Sequence, residues 1–228
     1  MIYRGNMSVE CVDVLGDDES VVRAMLVSTN KISDGSGVRG RIKFLMKNRH
    51  GTPFEHTLLT LKVSVPIFVA REWMRHRTLS YNEVSARYVE MSDTFYLPSS
   101  NRDIVQEGKP GAYNLVEGSK HQHVVVREEH AKAYQTAWEA YQNMLEAGVA
   151  REVARSVLPV GLFTQFYASG NVRAWLHFIS LRTNDDRNMF KSFPQQEIEE
   201  AARQVEFEIE KYFPATMWAF NQCGRVSP

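Results

Sequence analysis

The clearest constraint on the fold lies between His56 and Pro66. There Leu59, Leu61, Val63 and Val65 alternate with Thr60, Lys62 and Ser64, the period of two that sends successive side chains to opposite faces of a strand. Pro66 ends the run, because it has no amide to donate, and its fixed φ suits the first turn of a helix. The helix predicted from Ile67 to Arg75 places Ile67, Ala70, Trp73 and Met74 at helical spacing. Strand and helix thus deliver Arg75, His76 and Arg77 to a helix C-terminus, the end that cations suit electrostatically.

The remaining chain supplies more of both element types. Ser8 to Leu15 alternates loosely and reads as a strand. Asp17-Asp18-Glu19-Ser20 is acidic helix-start chemistry ahead of Val21 to Val27. The glycines from Gly35 to Gly40 mark a loop, and Arg41 to Lys47 a helix. Residues 98–120, rich in Gly, Pro, Ser and Asn, read as an exposed loop. A long helix follows from about His121 to Ala147, with Ala131, Tyr134, Trp138, Tyr141 and Leu145 on one face and Gly148 as its stop. Ala150 to Leu158 is a short helix halted by Pro159, and Leu162 to Ala168 a strand. Asn171 caps a helix through about Arg182, and Gln195 to Phe213 forms another. The sum is α+β: several helices, one long and central, on a small antiparallel sheet, within a single domain over residues 1–228.

Composition narrows the function. The chain has 228 residues, with Lys+Arg 27 against Asp+Glu 27. Nucleic-acid binders carry a basic excess, so clustered rather than numerous cations favour a small anionic ligand. The cysteines, Cys11 and Cys223, form no C-x-x-C pair, which argues against a disulfide framework or a cysteine zinc site. No apolar run approaches the about 18 residues of a membrane span, and the N-terminus lacks a signal peptide's apolar core. A soluble cytoplasmic protein is expected.

The chemistry concentrates in Arg75-His76-Arg77-Thr78-Leu79-Ser80-Tyr81-Asn82-Glu83-Val84-Ser85-Ala86-Arg87. Guanidinium forks match phosphate oxygens in a bidentate way, and hydroxyls and an amide add donors and acceptors. A bare R-H-R fits a solvated helix end; the serines, asparagine, glutamate and third arginine that follow point to a polyanion site. Read as R-H-R-x-x-S-x-N-E-x-S-x-R, the stretch resembles the signature of flavin-dependent thymidylate synthases. The resemblance implies that Arg75, His76, Arg77 and Glu83 contact FAD. It places Arg75, Glu83, Ser85, Ala86 and Arg87 on deoxyuridylate (dUMP), with Arg87 on the 5′-phosphate. Glu72 stands where many members carry glutamine, and it too is carried over to the nucleotide.

Three further stretches carry the same resemblance. Arg151-Glu152-Val153-Ala154-Arg155-Ser156-Val157-Leu158-Pro159 is similar to R-x-x-A-R-x-x-L-P, which assigns Arg155 to the nucleotide phosphate. Hydrogen bonds to charged groups net about 1.5–3 kcal/mol each. Two or three give roughly 4–9 kcal/mol before ordering costs, barely the about 8 kcal/mol of a micromolar ligand. Contacts to the uracil ring are therefore also needed. Residues 171–182 resemble N-x-R-x-x-x-H-F-x-x-L-R. The resemblance places Asn171, Arg173 and His177 on FAD and makes Arg182 the catalytic residue, by the uracil N3 and O4 where negative charge develops. Arg182 lies nine residues past Arg173, about 180° around a helix. Either the helix ends before Arg182 or the two arginines serve different pockets; the second option fits the shared sites of the homotetramer that the resemblance implies. Last, His50-Gly51-Thr52-Pro53-Phe54-Glu55-His56 is similar to H-x-x-x-F-E-H, with His50 near the folate and Thr52 on the flavin.

The implied reaction is reductive methylation of dUMP to thymidylate. 5,10-Methylenetetrahydrofolate would give the one-carbon unit, NADPH would reduce the FAD, and hydride would pass from the flavin to the uracil ring. Cys11 and Cys223 lie outside every motif, so no cysteine nucleophile is expected, and Ser85 is given a binding role. The segment from Thr183 to Pro194 reads as an insertion at the pocket edge. The rivals are a non-catalytic phosphate or RNA binder using the arginine cluster, and an inactive member of the same family.

Overall fold

The computed structural model describes residues 1–109 and 112–228. In chain order its elements are β1 (Ile2–Arg4), β2 (Ser8–Leu15), α1 (Asp18–Val27), α2 (Val38–Lys47), β3 (Leu58–Pro66), α3 (Ile67–Trp73), β4 (Ser80–Glu83), β5 (Thr94–Tyr96), β6 (Val105–Lys109), β7 (Ala112–Val116), α4 (Lys120–Glu146), α5 (Arg151–Ala154), β8 (Phe163–Gly170), α6 (Val172–Arg182), α7 (Gln196–Tyr212) and α8 (Pro214–Gln222). Short 3-10 turns lie at Thr52–Glu55 and Arg155–Val157. The architecture is α+β, as the sequence predicts. Its sheet has the order β2-β3-β8-β4, with β2–β3 and β8–β4 antiparallel. A parallel pair β1–β5 and an antiparallel ribbon β6–β7 stand apart from that sheet.

The chain groups into two compact units. One comprises Asn6–Val65, Val69–Glu83 and Gln165–Pro228. Its core is built on β3, where Leu59, Leu61, Val63 and Val65 are fully buried while Lys62 faces solvent. Helix α6 turns Val172, Trp175, Leu176, Phe178 and Ile179 inward, and the Trp175 indole Nε1 donates to the Leu59 carbonyl at 3.4 Å. Burying side chains of this size stabilises by about 1.5–3 kcal/mol each. Asp17 caps α1, accepting from the Ser20 amide while the Ser20 hydroxyl accepts from the Asp17 amide, the reciprocal box expected of acidic helix-start chemistry. The Asp18 carboxylate accepts from the amides of Ala215 and Thr216 at 2.6 and 2.9 Å, covering the start of α8.

The other unit comprises Met1–Gly5, Pro66–Phe68 and Val84–Thr164. Helix α4 opens on a Ser119–Gln122 capping box, and Gly148 follows its end at φ +78°, a left-handed conformation that glycine adopts without strain. Tyr134 packs against Phe95 with ring centroids 4.8 Å apart, beside Met91 and Leu162. A Cβ on Gly161 would lie 2.1 Å from the Tyr134 hydroxyl oxygen, so this close approach requires glycine.

Several boundaries differ from the sequence reading. The loop read from Gly35 to Gly40 holds the first turn of α2, which starts at Val38 behind Gly37 at φ +64°. Strand β3 begins at Leu58 because Thr52–Glu55 coil into a 3-10 turn first. Helix α3 ends at Trp73 rather than Arg75, where His76 closes a turn onto the Trp73 carbonyl. The short helix read from Ala150 tightens to 3-10 geometry at Arg155. The loop read over residues 98–120 contains the β6–β7 ribbon; its Gly-rich composition hid the pairing, and Pro110 and Gly111 lie outside the described residues. The C-terminal residues, for which the sequence predicts no element after Phe213, are packed: α8 buries Met217, Ala219 and Phe220, and Arg225 is 1% exposed.

Candidate active site

The signature begins where α3 gives out. The His76 amide donates to the Trp73 carbonyl at 3.0 Å and the Leu79 amide to the His76 carbonyl at 3.2 Å, so the R-H-R segment is a run of turns. Tyr81 pins it: its hydroxyl lies 3.0 Å from the Trp73 carbonyl and 2.9 Å from that of His76. Burial pushes the Tyr81 phenol well above its ordinary value, so it stays a donor. The next residues form β4, an edge strand paired with β8 from Ser80↔Ser169 to Glu83↔Phe166. Arg75, Arg77 and Glu83 are exposed, while His76 is buried.

Arg182, at the end of α6, meets His76. Its Nε donates to His76 Nε2 at 3.0 Å, its Nη1 to Glu72 Oε2 at 3.0 Å and its Nη2 to the Glu72 carbonyl at 3.2 Å. An imidazole nitrogen that accepts from a guanidinium must be unprotonated. The electrostatics agree: burial first, then the charges of Arg182 and His177, lower His76 to about 4. Burial also draws the Arg182 guanidinium below its usual value, and Glu72 opposes that.

The first turns of α6 serve a second cluster. Arg173 Nη1 pairs with Glu55, and its Nε donates to the Pro228 carbonyl at 2.6 Å. A Cβ on Gly51 would sit 2.5 Å from Arg173 Nε and 2.8 Å from the Pro228 backbone oxygen, so a larger residue there would push the Arg173–Pro228 contact aside. Asn171 caps the helix through the Ala174 amide at 2.9 Å. Buried Thr57, the residue after the H-x-x-x-F-E-H segment, accepts from the Val172 amide at 3.0 Å and donates to the Phe54 carbonyl at 3.1 Å, tying that segment to α6. Glu55, Thr78, Asn171, Arg173, His177 and Pro228 are among the residues lining a cleft of about 370 Å³. Helix α6 is continuous from Val172 to Arg182, and its two arginines serve separate clusters.

The other unit holds the remaining anchors. The Arg87 amide donates to the Ser85 hydroxyl at 3.3 Å, and Arg87 Nε lies 3.4 Å from Glu152. That ion pair joins the signature to the Arg151–Pro159 stretch. Arg155 is exposed at the start of its 3-10 turn, and Ala86 is half-buried. Two expected residues are not drawn into these clusters: His50 packs edge-on to Phe44 at 5.7 Å, and Thr52 is exposed on its turn. Both cysteines are free, and burial pushes the Cys11 thiol up, away from the reactive thiolate. Tyr81, Thr57 and Glu55 were assigned no role from the sequence. Glu55 stood in the H-x-x-x-F-E-H stretch and Tyr81 in a free position of the signature, but spacing alone names no partner.

The fold is α+β, and one helix carries Arg173 and Arg182 at its two ends, each beside a carboxylate. Comparison with known proteins makes this specific. Residues 10–215 match the family model described as thymidylate synthase complementing protein. A flavin-dependent thymidylate synthase of Streptomyces avermitilis is 47% identical, covering 99% of this chain and 95% of the relative. One from Tropheryma whipplei is 41% identical, covering 100% and 97%. A crystal structure of the UMP/dUMP methylase PolB from Streptomyces cacaoi, bound with 5-Br UMP, superposes with a TM-score of 0.94 at 46% identity, over 100% of this chain and 99% of that one. The chain belongs to the flavin-dependent thymidylate synthase family.

Proposed function

We propose that this protein converts dUMP to thymidylate by reductive methylation, with 5,10-methylenetetrahydrofolate as one-carbon donor and NADPH as reductant. The observation that carries the reading is the Arg182 Nε to His76 Nε2 bond of 3.0 Å, which joins two signature stretches 106 residues apart in sequence. FAD suits the residues present. The cleft of about 370 Å³ is at the low end of the about 300–1,000 Å³ of ligand pockets, room for part of a dinucleotide. Its guanidinium, imidazole, hydroxyl and amide groups match phosphate and carbonyl oxygens. Bound flavin, once reduced, would supply hydride to the uracil ring.

This chain's residues bind and orient. Thr52, Arg75, His76, Arg77, Glu83, Asn171, Arg173 and His177 would hold FAD, and His50 would face the folate. Arg75, Glu83, Ser85, Ala86, Arg87 and Arg155 would hold dUMP, with Arg87 and Arg155 on its phosphate. Arg182 would stabilise the negative charge that grows at N3 and O4 of uracil. The protein would work as a cytoplasmic homotetramer with sites shared between subunits. No described helix is long and apolar enough to cross a membrane.

The test is the visible spectrum of the purified protein before and after anaerobic NADPH, then turnover with dUMP and the folate. Flavin bands that bleach, followed by thymidylate formation, are expected. Absence of flavin bands after FAD loading would overturn the reading. Arg182→Lys lacks the planar fork, and we expect it to keep flavin but lose roughly 100-fold or more in kcat. Near-normal turnover would remove Arg182 from the chemistry.

A further inference from the structure

The Arg182 guanidinium is held from three directions by one short segment. Glu72 Oε2 takes Nη1, the Glu72 carbonyl takes Nη2, and His76 Nε2 takes Nε, at 3.0, 3.2 and 3.0 Å. A guanidinium has five N–H donors. These three bonds leave one on each terminal nitrogen. The Arg182 side chain is 19% exposed, so the remaining pair stays open to a ligand. A long side chain that would otherwise sample many rotamers is fixed in one plane before anything binds.

Among the described residues the Glu72 carboxylate bonds Arg182 alone. Its carboxylate only accepts hydrogen bonds, and it would repel a nucleotide phosphate. Its Oε2 is already committed to Arg182, and the cation acting on that guanidinium is Arg75. We propose that Glu72 is a positioning residue: with His76 Nε2 it sets the plane of the Arg182 guanidinium and does not itself touch the nucleotide. This rests on the reading of Arg182 as the group facing the uracil ring. A glutamine in the same place would keep the side-chain acceptor, because its Oε1 can take the Nη1 hydrogen. The device therefore depends on an acceptor at this point and not on its charge.

The test uses flavin-loaded enzyme and measures kcat together with dUMP Kd by equilibrium titration. Glu72→Met keeps length and volume without the acceptor. It should lower kcat by about tenfold or more, since small misplacements of a reacting group are costly. The dUMP Kd should move by less than about threefold, with flavin content and thermal midpoint unchanged. Glu72→Gln should recover most of kcat, a rescue that a bulk structural role for the charge would not give. The double variant Glu72→Met/Arg182→Ala should be no slower than Arg182→Ala alone, because the two changes act through one group. A weakened dUMP Kd with normal kcat in Glu72→Met would make Glu72 a nucleotide ligand and overturn the proposal, as would additive losses in the double variant. Normal turnover by Arg182→Ala would overturn the reading beneath it, a result legible without any Glu72 variant.

Discussion

His76 is a buried imidazole that works by remaining neutral. Its ring lies 4.7 Å from Phe178 and 6.2 Å from His177, and it accepts from Arg182. In the unfolded chain it would take up a proton near pH 6.5, whereas the folded protein holds it at about 4. Between those values the unfolded state binds the proton that the folded state refuses. Stability therefore falls as pH drops from about 6.5 towards 4. Of the charges facing it, Arg182 and His177 both push in this direction. His76→Gln keeps an acceptor but does not titrate, so its stability should decline less, by about 2 kcal/mol over that window after discounting for solvent screening. Urea unfolding at pH 7.5 and 4.5 reads the difference; equal declines would remove His76 as the titrating group. Tyr81→Phe removes a hydroxyl poised over two carbonyls and should cost about 1–2 kcal/mol in the same assay.

At the scale of elements, pattern was legible where length let it repeat. Strand β2 runs over the predicted Ser8–Leu15, α6 starts behind its predicted Asn171 cap and ends at Arg182, and α4, read as about His121 to Ala147, runs from Lys120 to Glu146. Strands of three to five residues, β1 and β4 to β7, carry too few alternations to register; pairing holds them, not pattern. Helix α8 was missed for the opposite reason. Met217, Ala219 and Phe220 are all buried and leave no clean stripe to read. The site divides the same way. Motif spacing named Arg87, Arg173 and Arg182, but their pairing with Glu152, Glu55 and Glu72 emerges only through space, because ion pairing has no period. The Asn171 cap is open to direct measurement. Asn171→Ala should destabilise the protein by about 0.5–2 kcal/mol in chemical denaturation; an unchanged midpoint would mean that the bond to the Ala174 amide contributes nothing.

For the whole molecule, the least expected feature is Arg225. Its guanidinium bonds Glu206 through both terminal nitrogens at 2.7 and 2.8 Å and reaches the Thr183 hydroxyl at 3.0 Å. Thr183 follows Arg182 directly and donates its own hydroxyl to the Ile179 carbonyl at 2.8 Å. The segment read as an insertion, Thr183 to Pro194, is thus laced to the C-terminal region, with the Met189 amide on the Gly224 carbonyl at 2.9 Å. Arg225→Met should cost about 1–3 kcal/mol, because the half-buried Glu206 carboxylate loses both of its close bonds and keeps only Arg203 at 3.7 Å. Adding Glu206→Gln should restore part of that loss, and a full loss in the double variant would show that packing, not charge, was removed. A last consequence follows from α6, which holds Arg173 in its first turn and Arg182 at its last residue. Each helical residue adds about 100° and 1.5 Å, so one residue inserted between them would swing Arg182 off His76 and Glu72 while Arg173 stayed in place. The helix acts as a ruler with a mark at each end: its middle can drift in composition, but its length is set.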